Sequence, residues 1–180
     1  VSQLAPSVRD SDHTVGPADA PVTLVQYGDY ECPYCGAAYP ILKTLLQQFG
    51  DRLRFVFRNF PLSESHPHAE HSAEAAEAVA GLGGNAPFWA MHDMLYEHQS
   101  ALEDEDLAGY ANDVGVDGAA VERALDTHSY RSRVREDFKS GVLSGVNGTP
   151  TFFINGTRFD GNWPDVEEFA AALKAEAVAR

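Results

Sequence analysis

Two cysteines separated by two residues, standing where a strand hands over to a helix, restrict this chain more than any other feature. They lie in Cys32-Pro33-Tyr34-Cys35. Before them, Val22-Thr23-Leu24-Val25-Gln26-Tyr27 is β-branched and apolar and reads as a strand. After them, Ile41, Leu42, Leu45, Leu46 and Phe49 recur at helical spacing. A helix N-terminus carries roughly half a positive charge and several N–H groups without intrahelical partners, so it favours a thiolate over a thiol on the first turn. Cys32 is therefore expected to be the acidic sulfur. Pro33 takes the first helical position, where a missing N–H costs nothing. Cys35 shares a face with Cys32 at a Cβ separation of about 5–6 Å, near enough for a disulfide to close and reopen with modest adjustment.

Composition bounds the alternatives. The 180 residues fit one domain, or one domain carrying an insertion, and 44% hydrophobic residues suffice for a core. A net charge of −14 is repelled at long range by nucleic acid and by anionic membranes, so neither is expected as a partner. Both cysteines sit in the motif, so no other disulfide can form within the chain. No apolar run approaches the ~18–20 residues of a membrane span, and Val1 to Asp10 lacks the apolar core of a signal peptide. The expected location is cytoplasmic as the chain stands, and periplasmic or secreted if a signal peptide has been removed.

In chain order, residues 1–14 are polar and aperiodic and read as a flexible tail. The helix after the cysteines is expected to run to about Gln48, with Gly50 as cap and a kink at Pro40. Leu53 to Phe57 alternates Leu53, Phe55, Phe57 against Arg54, Val56, Arg58 and predicts a second strand. From 62 to 144 the pattern is helical. Ala69, Ala73, Ala76 and Ala80 make a small-residue face, with Glu70, Glu74 and Glu77 pointing to solvent. Pro87 opens a helix bearing Phe88, Met91 and Leu95. Ser100 and Glu103 have capping-box spacing, and Ser129 precedes a return helix in which Val134, Phe138 and Val142 recur. The block reads as an insertion with no chemistry of its own. Thr151-Phe152-Phe153-Ile154, Asn155-Gly156 and Thr157-Arg158-Phe159 form a strong hairpin signal, because Asn-Gly supplies the two positive φ angles of a type I′ turn. Val166, Phe169, Ala170 and Leu173 then predict a terminal helix.

The order of elements, the Cys-x-x-Cys at the end of the first core strand and Gly148-Thr149-Pro150 before the third together resemble the thioredoxin superfamily, and the helical insertion resembles its DsbA-like branch. That resemblance implies an α/β thioredoxin fold, with 15–61 and 145–180 as its core and 62–144 as helical insertion and return helix. It also implies that Pro150 is cis and faces the redox pair, so that the backbone of Thr149 is left open to pair with an extended substrate. Pro33-Tyr34 is similar to the dipeptide of glutaredoxins, whereas strongly oxidising members carry Pro-His, so no imidazole within the motif tunes Cys32. Six residues before Cys32, where many relatives hold a buried carboxylate that exchanges a proton with the second cysteine, stands Gln26. That role would pass to Asp29, Glu31 or water.

The function expected is thiol–disulfide exchange with protein or peptide substrates through Cys32 and Cys35, as a monomeric protein disulfide oxidoreductase. Neither metal nor organic cofactor is implied, with glutathione as a candidate co-substrate. A half zinc site is the rival for the cysteines, but a second cysteine pair is lacking. His66, His68 and His71 read as polar or capping residues. The other functional classes are a redox-switched peptide- or protein-binding module, and a glutathione-dependent transferase or isomerase of the same fold, which usually lacks a complete Cys-x-x-Cys.

Overall fold

In a computed structural model describing residues 1–179, five strands form one sheet. His13–Val15 (β1), Val22–Gly28 (β2), Leu53–Asn59 (β3), Thr151–Ile154 (β4) and Thr157–Phe159 (β5) lie in the order β1-β3-β2-β4-β5. β1 pairs antiparallel with β3, β4 with β2, and β5 with β4. Asn155 and Gly156 make the turn between β4 and β5 with φ of 49° and 84°, as the Asn-Gly dipeptide predicts. Opposite Tyr27 in the β2–β4 register stands Thr151, so β4 begins directly after Thr149-Pro150, whose peptide bond is cis.

Seven helices accompany the sheet: Pro33–Phe49 (α1), Ala69–Gly83 (α2), Asn85–Glu97 (α3), Asp104–Asp113 (α4), Gly118–Asp126 (α5), Arg131–Leu143 (α6) and Val166–Val178 (α7). Gly50 ends α1 with φ of 53°, and Pro40 lies inside the helix. None of the described helices is long and apolar enough to cross a membrane. The chain divides into two compact units. One comprises 1–28, 37–58 and 139 onward; the other comprises 29–36 and 59–138. The boundaries differ from those expected from the sequence, and 29–36, with both cysteines, groups with the helical block.

In the sheet unit, the core strands are buried on both faces rather than alternating. Val22, Leu24, Val25, Gln26 and Tyr27 are all inaccessible, as are Phe55, Val56, Phe57 and Arg58. Arg58 therefore does not point to solvent as its place in the alternation suggested. Its guanidinium makes two bonds to Asp12, at 3.0 and 2.8 Å, and donates to the Pro6 and Ser7 carbonyls and to the Tyr27 hydroxyl. This accounts for a correction at the N-terminus. Residues 1–14 are not a tail: Leu4 N donates to Gly156 O, Arg158 N donates to Ser2 O, and residues 13–15 form β1. A buried guanidinium has to find acceptors, and the segment supplies them.

Within the helical unit the expected solvated glutamate face is also overturned. Glu74 and Glu77 are buried at 1% and 3% exposure. Glu77 Oε1 accepts from Asn59 Nδ2 at 2.8 Å, and Asp137 Oδ2 accepts from Asn59 N and Nδ2; Arg133 pairs with Asp137 and lies 3.9 Å from Glu77. Burial raises the pKa of Asp137, Arg133 opposes the rise, and the Glu77 charge adds to it. The capping box of α4 is Glu103 with Asp106, not Ser100 with Glu103, and Val142 is exposed.

Burial opposes ionisation of Asp12, but the Arg58 hydrogen bonds and charge outweigh it and lower the pKa. Its contribution to stability is therefore present above the ordinary carboxylate range and is lost as pH falls through the lowered value. Replacing Arg58 by Met strands the Asp12 charge and should cost about 3–5 kcal/mol in urea-denaturation stability at pH 7. Adding Asp12→Asn to that variant should recover part of the loss. Additive costs would show that the two side chains do not form an energetic pair.

Candidate active site

β2 ends at Gly28, and the next residue, Asp29, organises the turn into α1. Asp29 Oδ1 accepts from the backbone N of Glu31 at 2.8 Å and of Cys32 at 3.2 Å. Asp29 Oδ2 bonds Leu62 N at 2.8 Å and His66 Nδ1 at 2.7 Å. Glu31 Oε2 accepts from His68 N at 2.6 Å. Two neighbouring carboxylates thus grip the segment leading into α2.

Cys32 precedes the first helical residue, Pro33, and its carbonyl accepts the first helical bond from Gly36 N at 3.0 Å. Cys32 is therefore the N-cap residue and Cys35 lies on the first turn, as the spacing predicts. Both cysteines are buried, whereas Tyr34 between them is 69% exposed. Gln99, just beyond α3, donates through Nε2 to the carbonyls of Tyr30 and Cys32, both at 2.9 Å. A Cβ added at Gly36 would overlap the Gln99 amide, so glycine is what lets that side chain close over the turn.

Behind the motif, Tyr30 enters an aromatic cluster on α3. Its hydroxyl lies 3.0 Å from His92 Nδ1, and its ring centroid lies 4.9 Å from that of Tyr96. Burial raises both phenol pKa values well above the ordinary range. The Cys35 charge adds to the effect on Tyr96, and that of Glu77 to the effect on Tyr30, so both stay protonated. Burial opposes the charge on His66, but the hydrogen bond and charge of Asp29 outweigh it, and Cys32 and Glu31 add to the upward shift. The imidazole that lies within electrostatic reach of Cys32 is therefore protonated more readily than an ordinary histidine.

Asp29, Glu31, Cys32, Pro33, Tyr34 and Cys35 all fall in the helical unit, together with His66, Tyr96 and Gln99. Gln26, Thr149 and Pro150 fall in the sheet unit. Gln26 is fully buried on β2, and neither its amide N nor its amide O has a hydrogen-bond partner. The helical block, read as having no chemistry of its own, packs onto the motif through His66, Tyr96 and Gln99. The sequence alone placed His66 among polar or capping residues and gave Tyr96 no role. Gln99 carried no signal, because its role depends on the missing Cβ of Gly36.

Because the folded-state pKa of His66 is raised, its stabilisation is fully present below the unfolded value near 6.5 and is lost as pH rises through the folded one. With the side chain 19% exposed, His66→Gln should cost about 1.5–2 kcal/mol at pH 6, the lower part of the range for hydrogen bonds to charged groups. The cost should shrink at pH 9. Denaturation midpoints across that interval are the measurement, and a pH-independent loss would refute the charged pair.

Residues 9–175 match the protein family described as Thioredoxin. Among solved structures, BdbD from Bacillus subtilis (oxidised) is 26% identical, with a TM-score of 0.89 over 99% of this chain and 98% of that one. MdbA, a thiol-disulfide oxidoreductase from Corynebacterium diphtheriae, is similar in fold at 19% identity, with a TM-score of 0.72 over 94% of this chain and 92% of that one. Among curated relatives, the Na(+)/H(+) antiporter NhaA 1 of Salinispora arenicola is 43% identical over 173 residues, which are 96% of this chain and 26% of the relative. NhaA 3 of Salinispora tropica is 42% identical over the whole chain and 27% of its own length. The chain spans about a quarter of the length of these curated relatives.

Proposed function

The chain belongs to the thioredoxin family, as a DsbA-like member, and we propose that it is a thiol–disulfide oxidoreductase acting on protein or peptide substrates. The observation that carries this reading is Cys32 at the N-cap of α1, with its backbone N bonded to Asp29 and the imidazole of His66 beside that same carboxylate. The helix N-terminus favours a thiolate at position 32, a protonated His66 adds to that, and the Asp29 carboxylate fixes the Cys32 backbone.

As an oxidant, the protein begins with a Cys32–Cys35 disulfide. A substrate thiolate attacks Cys32 Sγ, a mixed disulfide forms, and Cys35 leaves as thiolate. A second substrate thiolate then attacks the substrate sulfur, and Cys32 leaves. Two electrons have passed from substrate to protein, and the pair is reduced. As a reductant, the same steps run in reverse: Cys32 attacks a substrate disulfide and Cys35 resolves the mixed disulfide. His66 and Asp29 act as positioning groups for the Cys32 thiolate. Asp29 and Glu31 both accept backbone hydrogen bonds, and proton exchange with Cys35 is assigned to one of these carboxylates or to water. Thr149 and Pro150 are assigned to pairing with an extended substrate backbone. The exchange itself uses neither metal nor organic cofactor, and glutathione is a candidate co-substrate. An oxidising role would suit the periplasmic or secreted location, where disulfides persist. The antiporter names of the curated relatives are taken to refer to the part of those proteins that this chain does not span.

An equilibrium redox titration combined with an insulin-reduction assay tests the proposal. Cys32→Ser should abolish turnover. Cys35→Ser should accumulate mixed disulfides on Cys32, and alkylation of the reduced protein should label Cys32 faster than Cys35. A pair that titrates without turnover would instead point to a redox-switched binding module.

A further expectation concerns the direction of exchange. Tyr34 adds no positive charge to the motif, so Tyr34→His should favour the Cys32 thiolate and, with it, the reduced protein. The equilibrium constant with glutathione should move toward a stronger oxidant by roughly tenfold, or ~30 mV. Unchanged ultraviolet thiolate titration and glutathione equilibrium would mean that the dipeptide does not set the poise.

A further inference from the structure

The helical unit carries a second cluster of reactive side chains that the exchange chemistry does not use. One ring nitrogen each of His71 and His128 and one carboxylate oxygen of Glu74 lie within 4.8 Å of one another. His71 and Glu74 stand three residues apart on one face of α2, and His128 lies in the connection between α5 and α6. His128 has a left-handed backbone, φ 51°, which histidine adopts more often than most residues do.

We propose that His71, Glu74 and His128 form a binding site for a divalent transition metal, zinc by preference, with a fourth position open to water. Two imidazoles and a carboxylate suit zinc and its neighbours rather than calcium or magnesium, which take oxygen ligands. Tetrahedral zinc, at bonds of about 2.0–2.1 Å, sets its donors about 3.4 Å apart, so side-chain rotation suffices to close the cluster.

Glu74 supplies an independent observation. Its side chain is 1% exposed, Oε1 lies 3.3 Å from His128 Nδ1, and Oε2 accepts no hydrogen bond; the Arg131 Nε is 3.9 Å away from Oε2. A buried carboxylate oxygen without a hydrogen bond is costly, and a bound cation removes that cost. Arg131 Nη2 lies 2.8 and 3.0 Å from the two ring nitrogens of His128. A guanidinium can only donate, so a hydrogen bond here requires a ring nitrogen with a lone pair, which is also what a metal ligand requires. Arg131 thus competes for the site, and Glu70 Oε1, 3.2 Å from its Nε, offers it another partner. Asp104 Oδ1 holds His71 Nδ1 at 2.7 Å, as carboxylates do when they orient ligating imidazoles. An open pocket of about 560 Å³, lined by Pro67, His68, His71, Glu103, Asp104 and Glu105, reaches the cluster at His71. Bound metal would tie α2 to the α5–α6 connection.

The test is calorimetric titration of zinc chloride into the full chain carrying Cys32→Ser and Cys35→Ser, which removes the thiols that would bind zinc themselves. One equivalent should bind, raising the thermal midpoint. His128→Asn and Glu74→Gln should each weaken binding at least about tenfold, and Arg131→Gln should tighten it. No binding up to about 1 mM zinc, binding indifferent to His128→Asn, or an equal response to calcium would overturn the proposal. Should a variant not fold, cobalt(II) in the parent decides. An intense four-coordinate visible spectrum supports the site, and the weak spectrum of the six-coordinate aqua ion refutes it.

Discussion

Much of the site rests on one carboxylate. Asp29 has two oxygens, and each meets two donors: Glu31 N and Cys32 N on one, Leu62 N and His66 Nδ1 on the other. It fixes the first turn of α1 from one side and the approach to α2 from the other. A charged acceptor bonded to backbone N–H groups makes stronger bonds than a neutral one, so these bonds hold the turn firmly. The same carboxylate that orients the Cys32 backbone also raises the pKa of His66. Geometry and charge at the candidate nucleophile therefore come from one residue.

The helical unit supports this arrangement through polar groups buried against a small-residue helix. Ala69, Ala73, Ala75, Ala76 and Ala78 are buried along α2 and allow close packing, while Glu74 and Glu77 project from the same helix into ion pairs and hydrogen bonds. Acidic residues inside an acidic protein need counter-charges. Arg131 and Arg133 of α6 supply them, each paired with residues far away in the chain. Such networks are sensitive to the loss of one member, because the remaining charge stays desolvated.

Elements whose determinants are local were legible in the sequence. The strand before the cysteines, Pro33 at the first helical position, the Asn155-Gly156 turn and the Gly50 stop depend on residues within a few positions of one another. The resemblance to a DsbA-like fold added the cis bond at Pro150. Long-range determinants were not legible. Arg58 fits an outward position until Asp12 reaches it from 46 residues away, and Glu77 fits a solvated face until Asn59 does so from 18. His66 read as a capping residue because the partner it bonds, Asp29, lies 37 positions earlier. Periodicity reports which side chains share a face of an element. It does not report whether that face meets water or a partner.

The embedded N-terminal strap changes where the domain begins. A boundary placed at residue 15, where regular hydrophobic patterning starts, would cut away the Asp12 carboxylate and the Pro6 and Ser7 carbonyls, which between them take four of the donor contacts around Arg58. Recombinant fragments and fusion joints made at that point would leave a guanidinium inside the sheet unit without its counter-charge. The folding unit reaches back at least to Ser2, whose carbonyl already pairs with Arg158 on β5.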